Sequence, residues 1–438
     1  MHRGARATTP GIEVATRNEG YWRLGFAMAG MEWRQVPVGL DAERWITRTG
    51  CKQVLVVVHT VTTGQRLADV VRLIESDLRI QVVFTAAPDV FSNGVGDLLR
   101  DFGGVVISWD QATRIQFDLA LAAAYGSVHE LHAPLIVMPH GAGHNKLAVR
   151  STTGGAVAAR GVYGLDPQSL VRGGSVVPTA IVLSHKADLK VLGRQCPEAL
   201  PTAVIAGDPC YDRILTSSPQ RAAYRRALQV TDRQKLIVTA STWGTRSLFG
   251  QAVDLLDRML TELPPSGYRI ASLMHPNVWF GHGPRQVKAW LTDAVDRGLG
   301  LVPPSSDWIG ALIASDLIIG DHGSVAVYGA AADVPVVLAG FPSDDVSPSS
   351  ASALLAETAP WLLDDAPLIQ QLTEAQARHR TAASDLVAAR LTSEPGRFNQ
   401  NMRRLMYRVL RLSQPSTIPV MPPAALPVIV PDQLPDGR

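Results

Sequence analysis

From about residue 53 onward, short apolar runs alternate with longer amphipathic stretches. The runs at 53–58, 80–85, 104–108, 135–138 and 180–184 are rich in Val, Ile and Leu. Unbroken apolar runs of this length predict strands buried on both faces, as in a parallel sheet covered by helices. Between them, 66–77 and 113–131 have the pattern of helices. Strand–helix–strand repetition predicts a doubly wound α/β sheet.

The rhythm restarts after Gly207-Asp208-Pro209, a turn signal that follows the apolar run at 203–206. Further strands are expected at 235–240, 268–274, 300–302, 316–320 and 335–338, with helices at 251–262 and 284–297. The pattern therefore predicts two Rossmann-like halves, 36–200 and 201–395, with the boundary between about 186 and 205. Residues 1–35 read as a weakly structured lead-in. At 396–413 a basic amphipathic helix is expected, with Met402, Leu405, Met406, Val409 and Leu412 on one face and Arg403, Arg404, Arg408 and Arg411 among its cations. It has two readings: a helix packed across the two domains, or a peripheral contact with anionic membrane. Residues 414–438 are proline-rich and expected to be disordered.

Composition narrows the class. The chain has 438 residues, 46% hydrophobic and 18% charged, enough to bury substantial cores. A net charge of +2 gives no bulk drive toward nucleic acid, and no basic–aromatic stripe supplies a local one. The three cysteines, Cys51, Cys196 and Cys210, are far apart and suggest neither a disulfide framework nor a zinc site. No apolar run reaches the ~18 residues of a membrane span. With no apolar core in a leading signal, a cytoplasmic location is expected.

Five segments have the composition for chemistry. Pro139-His140-Gly141-Ala142-Gly143-His144-Asn145-Lys146 follows the strand at 135–138. A histidine beyond a strand's carboxyl end faces the cleft and can take a proton near neutral pH. The plainer reading is a glycine turn whose histidine packs locally. Asp321-His322-Gly323-Ser324 runs into an Ala-rich helix, where free amides and the helix dipole favour phosphate; alternatively Gly323 and Ser324 are an ordinary cap. His275-Pro276 ends a strand and could hold a phosphate oxygen or simply form a turn. Thr242-Trp243-Gly244-Thr245-Arg246 offers hydroxyls and a guanidinium, with Trp243 as a packing residue in the plain reading. Gly207-Asp208-Pro209-Cys210-Tyr211-Asp212 lines the hinge, with Asp212 more suited to capping than to ligand contact. His59, at the end of the first strand, is the other histidine placed to face the cleft.

Taken in order, His140-Gly141, Gly207-x-Pro-x-x-Asp212, Thr242-Trp243, His275-Pro276 and Asp321-x-x-Ser324 resemble the CDP-glycerol glycerophosphotransferase family of teichoic-acid polymerases, over roughly residues 50 to 410. The resemblance implies a GT-B fold, a CDP-type nucleotide-diphosphate donor as substrate, and His140 as the base that activates a hydroxyl acceptor. It places His275, Thr242, Gly323, Ser324 and Arg246 around the donor phosphates, with Gly141, His144, Lys146, Asp321 and His322 as further candidates. No cofactor is implied, and no Asp-x-Asp metal pair stands out. The chain departs from the family where Gly323 stands for a serine, where His322 stands for an aromatic residue, and where Gly244 separates Thr242-Trp243 from Arg246. Two other readings accompany the transferase: a sugar-nucleotide 2-epimerase, which shares the fold, and a nucleotide-binding protein that has lost catalysis.

Overall fold

The computed structural model describes residues 34–39, 42–44, 46–148 and 160–430. The expected lead-in therefore lies almost wholly outside the described residues, as do the last eight residues of the tail.

The first sheet contains β1 (Lys52–Val58), β2 (Ile80–Ala86), β3 (Val106–Ile107), β4 (Leu119–Ala122) and β5 (Leu135–Val137). A small antiparallel hairpin, β6 (Val171–Arg172) and β7 (Ser175–Val176), precedes its last strands, β8 (Ala180–Leu183) and β9 (Ala203–Ile205). The seven strands are parallel, in the order β3-β2-β1-β4-β5-β8-β9. A second parallel sheet, ordered β12-β11-β10-β13-β14, is built from β10 (Lys235–Ser241), β11 (Tyr268–Met274), β12 (Gly300–Val302), β13 (Leu317–Gly320) and β14 (Val336–Leu338). Residues 54–58 of β1 and 236–241 of β10 are buried throughout, as strands covered on both faces must be.

Four expectations are corrected. The stretch 113–131 is not one helix: Leu119–Ala122 forms β4, inserted between β1 and β5. Its Leu-Ala alternation favours helix locally, but full burial between two strands decides the outcome. The helix expected at 66–77 spans Val61–Val71 and starts earlier because Thr60 and Thr63 form a reciprocal capping box. The boundary shifts too: Ala203–Ile205 pairs with β8 and completes the first sheet, where an apolar strand would otherwise be left at an open edge. The proline-rich tail is docked, not disordered, as far as Val430. Tyr224 donates its hydroxyl proton to the carbonyl of Ala424 (2.9 Å), the amide of Ala424 donates to Ser217 Oγ (2.8 Å), and the amide of Val430 donates to the carbonyl of Leu301 (2.8 Å). Met421 and Ala424 are buried, so regular anchors hold a segment that composition alone marks as loose.

The Phe398–Leu410 helix crosses back to the first domain. Phe398, Met402, Leu405, Met406, Tyr407 and Leu410 pack in one core with Val54 and Val56 of β1 and with Leu119 and Leu121 of β4. Asp212 closes its start by accepting from the amides of Gly396 (2.6 Å) and Phe398 (2.9 Å). The apolar face is thus spent inside the protein, which removes the basis for its membrane reading. Among the described residues no helix is long and apolar enough to cross a membrane.

Candidate active site

The carboxyl ends of β1, β5, β10, β11 and β13 bring His59, His140, Thr242, His275 and Asp321 toward one interdomain seam, where open α/β sheets bind ligands. Contacts across it are direct. Thr62 Oγ1 lies 3.5 Å from His275 Nε2, and the Phe91 and Trp243 rings stand 4.5 Å apart. The amide of Ala142 donates to Ser324 Oγ (3.1 Å), so the His140 loop and the Ser324 turn share one crevice.

The two histidines that end β5 and β11 are held in opposite tautomers. His140 Nδ1 lies 2.7 Å from the Ala123 carbonyl, an acceptor only, so that nitrogen bears the proton and Nε2 keeps its lone pair. His275 Nδ1 accepts from the amide of Asn277 (3.1 Å), so its proton is on Nε2. Pro276 opens the following helix and fixes this cap. By surface area His140 reaches solvent, yet protein of both domains surrounds it. That crowding lowers its pKa to about 4; the Ala123 bond opposes the shift, while Lys146, Arg66 and His59 add to it. Solvent contact moderates the effect, and the ring is neutral near pH 7 in either case. Burial likewise lowers His275, to about 3, with the charges of Lys146 and His140 pushing the same way.

Lys146 is the cation common to the site. Besides lowering His140 and His275, its charge lowers His322 and faces Asp321. Its Nζ stands 5.4 Å from the Trp243 ring centroid, and it carries no ion pair among the described residues. His322 is buried, its Nδ1 has no hydrogen-bond partner, and burial lowers its pKa to about 4. His144 turns away from this group. It is buried beside Asp188 and Arg390 in a small cavity behind the loop, and neither ring nitrogen has a partner. Arg246 sits at the exposed rim, where Asp345 holds it at 2.8 Å; Arg160 shares that carboxylate.

The Ser324–Ala331 helix begins the second-domain wall. The amide of Gly323, expected to be free for phosphate, instead donates to Asp321 Oδ1 (2.8 Å). Asp321 is buried and needs donors; Oδ2 takes two more amides, Thr242 and Leu248, each at 2.9 Å. Asp321 is therefore an organiser that ties the Thr242 loop to the Ser324 turn. The amides of Ser324 and Val325, in the first helical turn, have no partner within the helix, an arrangement that suits an anion. A Cβ on Gly141 would lie 2.5 Å from Ser324 Oγ, so a larger residue would turn that hydroxyl out of its bond with the Ala142 amide.

Three residues at the seam were not among the expected site residues. Arg66, buried on the Val61–Val71 helix, reaches the Gly141 carbonyl, Tyr328 and Asp208. The only signal was a charged residue in an otherwise apolar helical face. Tyr328 showed none, and Asp208 stood out only as part of the Gly207-Asp208-Pro209 turn.

Two parallel α/β halves meeting across a ligand cleft define the GT-B fold. Among solved structures, the chain is similar to the wall teichoic acid polymerase TagF: TM-score 0.53 and 12% identity, covering 82% of this chain and 89% of that one. A variant of that polymerase soaked with CDPG gives TM-score 0.54 and 12% identity, over the same shares of the two chains. A UDP-GlcNAc 2-epimerase from Neisseria meningitidis bound to UDP-GlcNAc has TM-score 0.47 and 12% identity, covering 82% of this chain and 99% of that one. No family model and no curated protein matches the chain.

Proposed function

We propose that the protein is a transferase that moves a glycerophosphate or glycosyl group from a nucleotide-diphosphate donor, CDP-type favoured, to an acceptor hydroxyl. The observation that carries this reading is the opposed pair of imidazoles at one crevice, His140 with a free Nε2 lone pair and His275 with an Nε2 proton. The acceptor O–H gives its proton to His140 Nε2 as its oxygen attacks. For glycerophosphate transfer a P–O bond forms to the acceptor and the donor's anhydride P–O bond breaks, releasing the nucleoside monophosphate. For glycosyl transfer the new bond is to the sugar carbon and the nucleoside diphosphate leaves. In both cases negative charge grows on the departing phosphate. His275 Nε2–H, the Lys146 ammonium and the Ser324 and Val325 amides are the donors suited to receive it.

The likeness to TagF, whose variant was soaked with CDPG, supports the choice of donor. An epimerase needs carboxylates free to act beside the sugar. Asp321 is engaged by three amides and Asp345 by two arginines, which favours the transferase. The test is turnover of CDP-glycerol and of UDP- and GDP-sugars, with His140→Ala alongside. Nucleotide release in the wild type and its loss in the variant is the expected result; equal release in both would remove the proposed base.

A further inference from the structure

We infer that Arg66 is a positioning residue that sets the His140 loop against the donor helix; its catalytic consequence rests on the transferase reading above. One buried guanidinium gathers groups from three parts of the fold. Arg66 NH2 donates toward the carbonyls of Gly141 (3.2 Å) and His140 (3.4 Å) and to Tyr328 Oη (3.0 Å). Arg66 NH1 stands 3.7 Å from Asp208 Oδ1. Tyr328 Oη in turn lies 2.9 Å from Asp208 Oδ2 and 3.1 Å from the Gly141 carbonyl. His140 and Gly141 belong to the base loop of the first domain. Tyr328 lies one turn beyond Ser324 on the second-domain helix, and Asp208 caps the first helix after the hinge by accepting from the amide of Tyr211 (2.9 Å).

The arrangement is costly, because Arg66 and Asp208 are both almost fully out of water, with side chains 3% and 1% exposed. A buried ion pair contributes little net stability compared with packed apolar residues, and its best-attested use is to select one register. Here the register is that of one domain on the other. One guanidinium nitrogen, Nη2, meets the three acceptors, while the other, Nη1, has no hydrogen-bond partner and stands in ion-pair range of Asp208, a two-pronged reach that the single nitrogen of a lysine does not reproduce. The His140 ring is held through Ala123 and its backbone carbonyl through Arg66, so both ends of the proposed base are fixed. Moving that loop by about 1 Å relative to the donor helix would cost roughly a hundredfold in rate.

The test uses the full chain as Arg66→Lys and Tyr328→Phe, the second removing only a hydroxyl so that the inference survives a folding failure of the first. Two readouts are taken: amide hydrogen exchange, which needs no substrate, and kcat and KM with CDP-glycerol. Exchange at the bonded amides of the two segments, Ala142 and Gly143 in the loop and 327–331 in the Ser324 helix, is expected to accelerate about tenfold, which is a loss of about 1.4 kcal/mol of local protection. The strands β1 and β10 should be unaffected. In Arg66→Lys kcat should fall about a hundredfold while KM for the donor stays within about threefold. Unchanged exchange in both segments, or acceleration spread evenly over the chain, overturns the inference. If the wild type turns over no donor, the transferase reading fails, and the exchange pattern still decides the role of Arg66.

Discussion

His140 and His275 meet at one crevice with inverted tautomers: each uses Nδ1 for a backbone bond, but His140 donates through it and His275 accepts. The inversion follows from what each ring meets, a carbonyl at the end of one strand and the first free amide of a helix at the end of the other. It leaves one Nε2 to accept a proton and one to donate a hydrogen bond. A transfer reaction that creates a proton at one end and an anion at the other needs this pair.

Replacing His140 with Ala should lower kcat by about 10²–10⁴-fold with little change in nucleotide affinity. The pH profile gives a second check. Crowding lowers the His140 pKa and solvent contact moderates that shift, so the base stays deprotonated as pH falls from neutral and the rate should hold level until well below the ordinary histidine value of about 6.5. A profile that declines through pH 6 to 7 would assign the limiting proton transfer to another group. Nucleotide release followed across that range measures both.

Lys146→Met keeps the stem over Trp243 and removes the charge. Hydrogen bonds to charged groups contribute about 1.5–3 kcal/mol, so CDP should bind roughly ten- to a hundredfold more weakly. Calorimetry with CDP reads this directly. Undiminished affinity would place the diphosphate elsewhere.

Acid should destabilise the fold before it protonates most carboxylates. His59, His144 and His322 are buried, and burial lowers all three, His322 to about 4. In the unfolded chain they titrate near about 6.5. A depressed histidine pKa means that its contribution is complete above about 6.5 and is lost as pH falls from there toward the folded value, which for His322 is about 4. The melting temperature should therefore drop across that window, and less so in His144→Gln. Equal slopes in variant and wild type would show that His144 takes up no proton on unfolding.

Ending the chain at Leu412 should destabilise the second domain. Tyr224 Oη loses its acceptor, Ser217 Oγ keeps the Arg213 carbonyl but loses the Ala424 amide, and Met421 leaves its site. An orphaned buried hydroxyl costs about 1–3 kcal/mol, which at about 2–4 °C per kcal/mol for a domain of this size is a fall of roughly 2–12 °C in melting temperature. An unchanged melting curve would mean that the tail contributes no net stability.

The two sheets were legible because strands buried on both faces carry near-continuous apolar runs, such as Val54–Val58 of β1, Val82–Phe84 of β2 and Leu236–Val238 of β10. The leading histidines were legible because they directly follow such strands, and strand ends in parallel sheets open on the cleft. Local pattern failed where tertiary pairing overrides it. Leu119–Ala122 reads as helix until β1 and β5 claim it, and the prolines of the tail read as disorder until Tyr224 and Ser217 anchor them.

Sequence by itself thus determined the layered α/β architecture and the residues that flank the cleft, since both follow from hydrophobicity and order along the chain. Only the tertiary structure decided which groups are free to act. Gly323 lends its amide to Asp321, Arg246 is held by Asp345, His144 faces a cavity behind the loop, and Lys146 stands among the histidines. Those assignments depend on partners tens to hundreds of residues away, and hydrogen-bond satisfaction across such distances leaves no trace in local spacing.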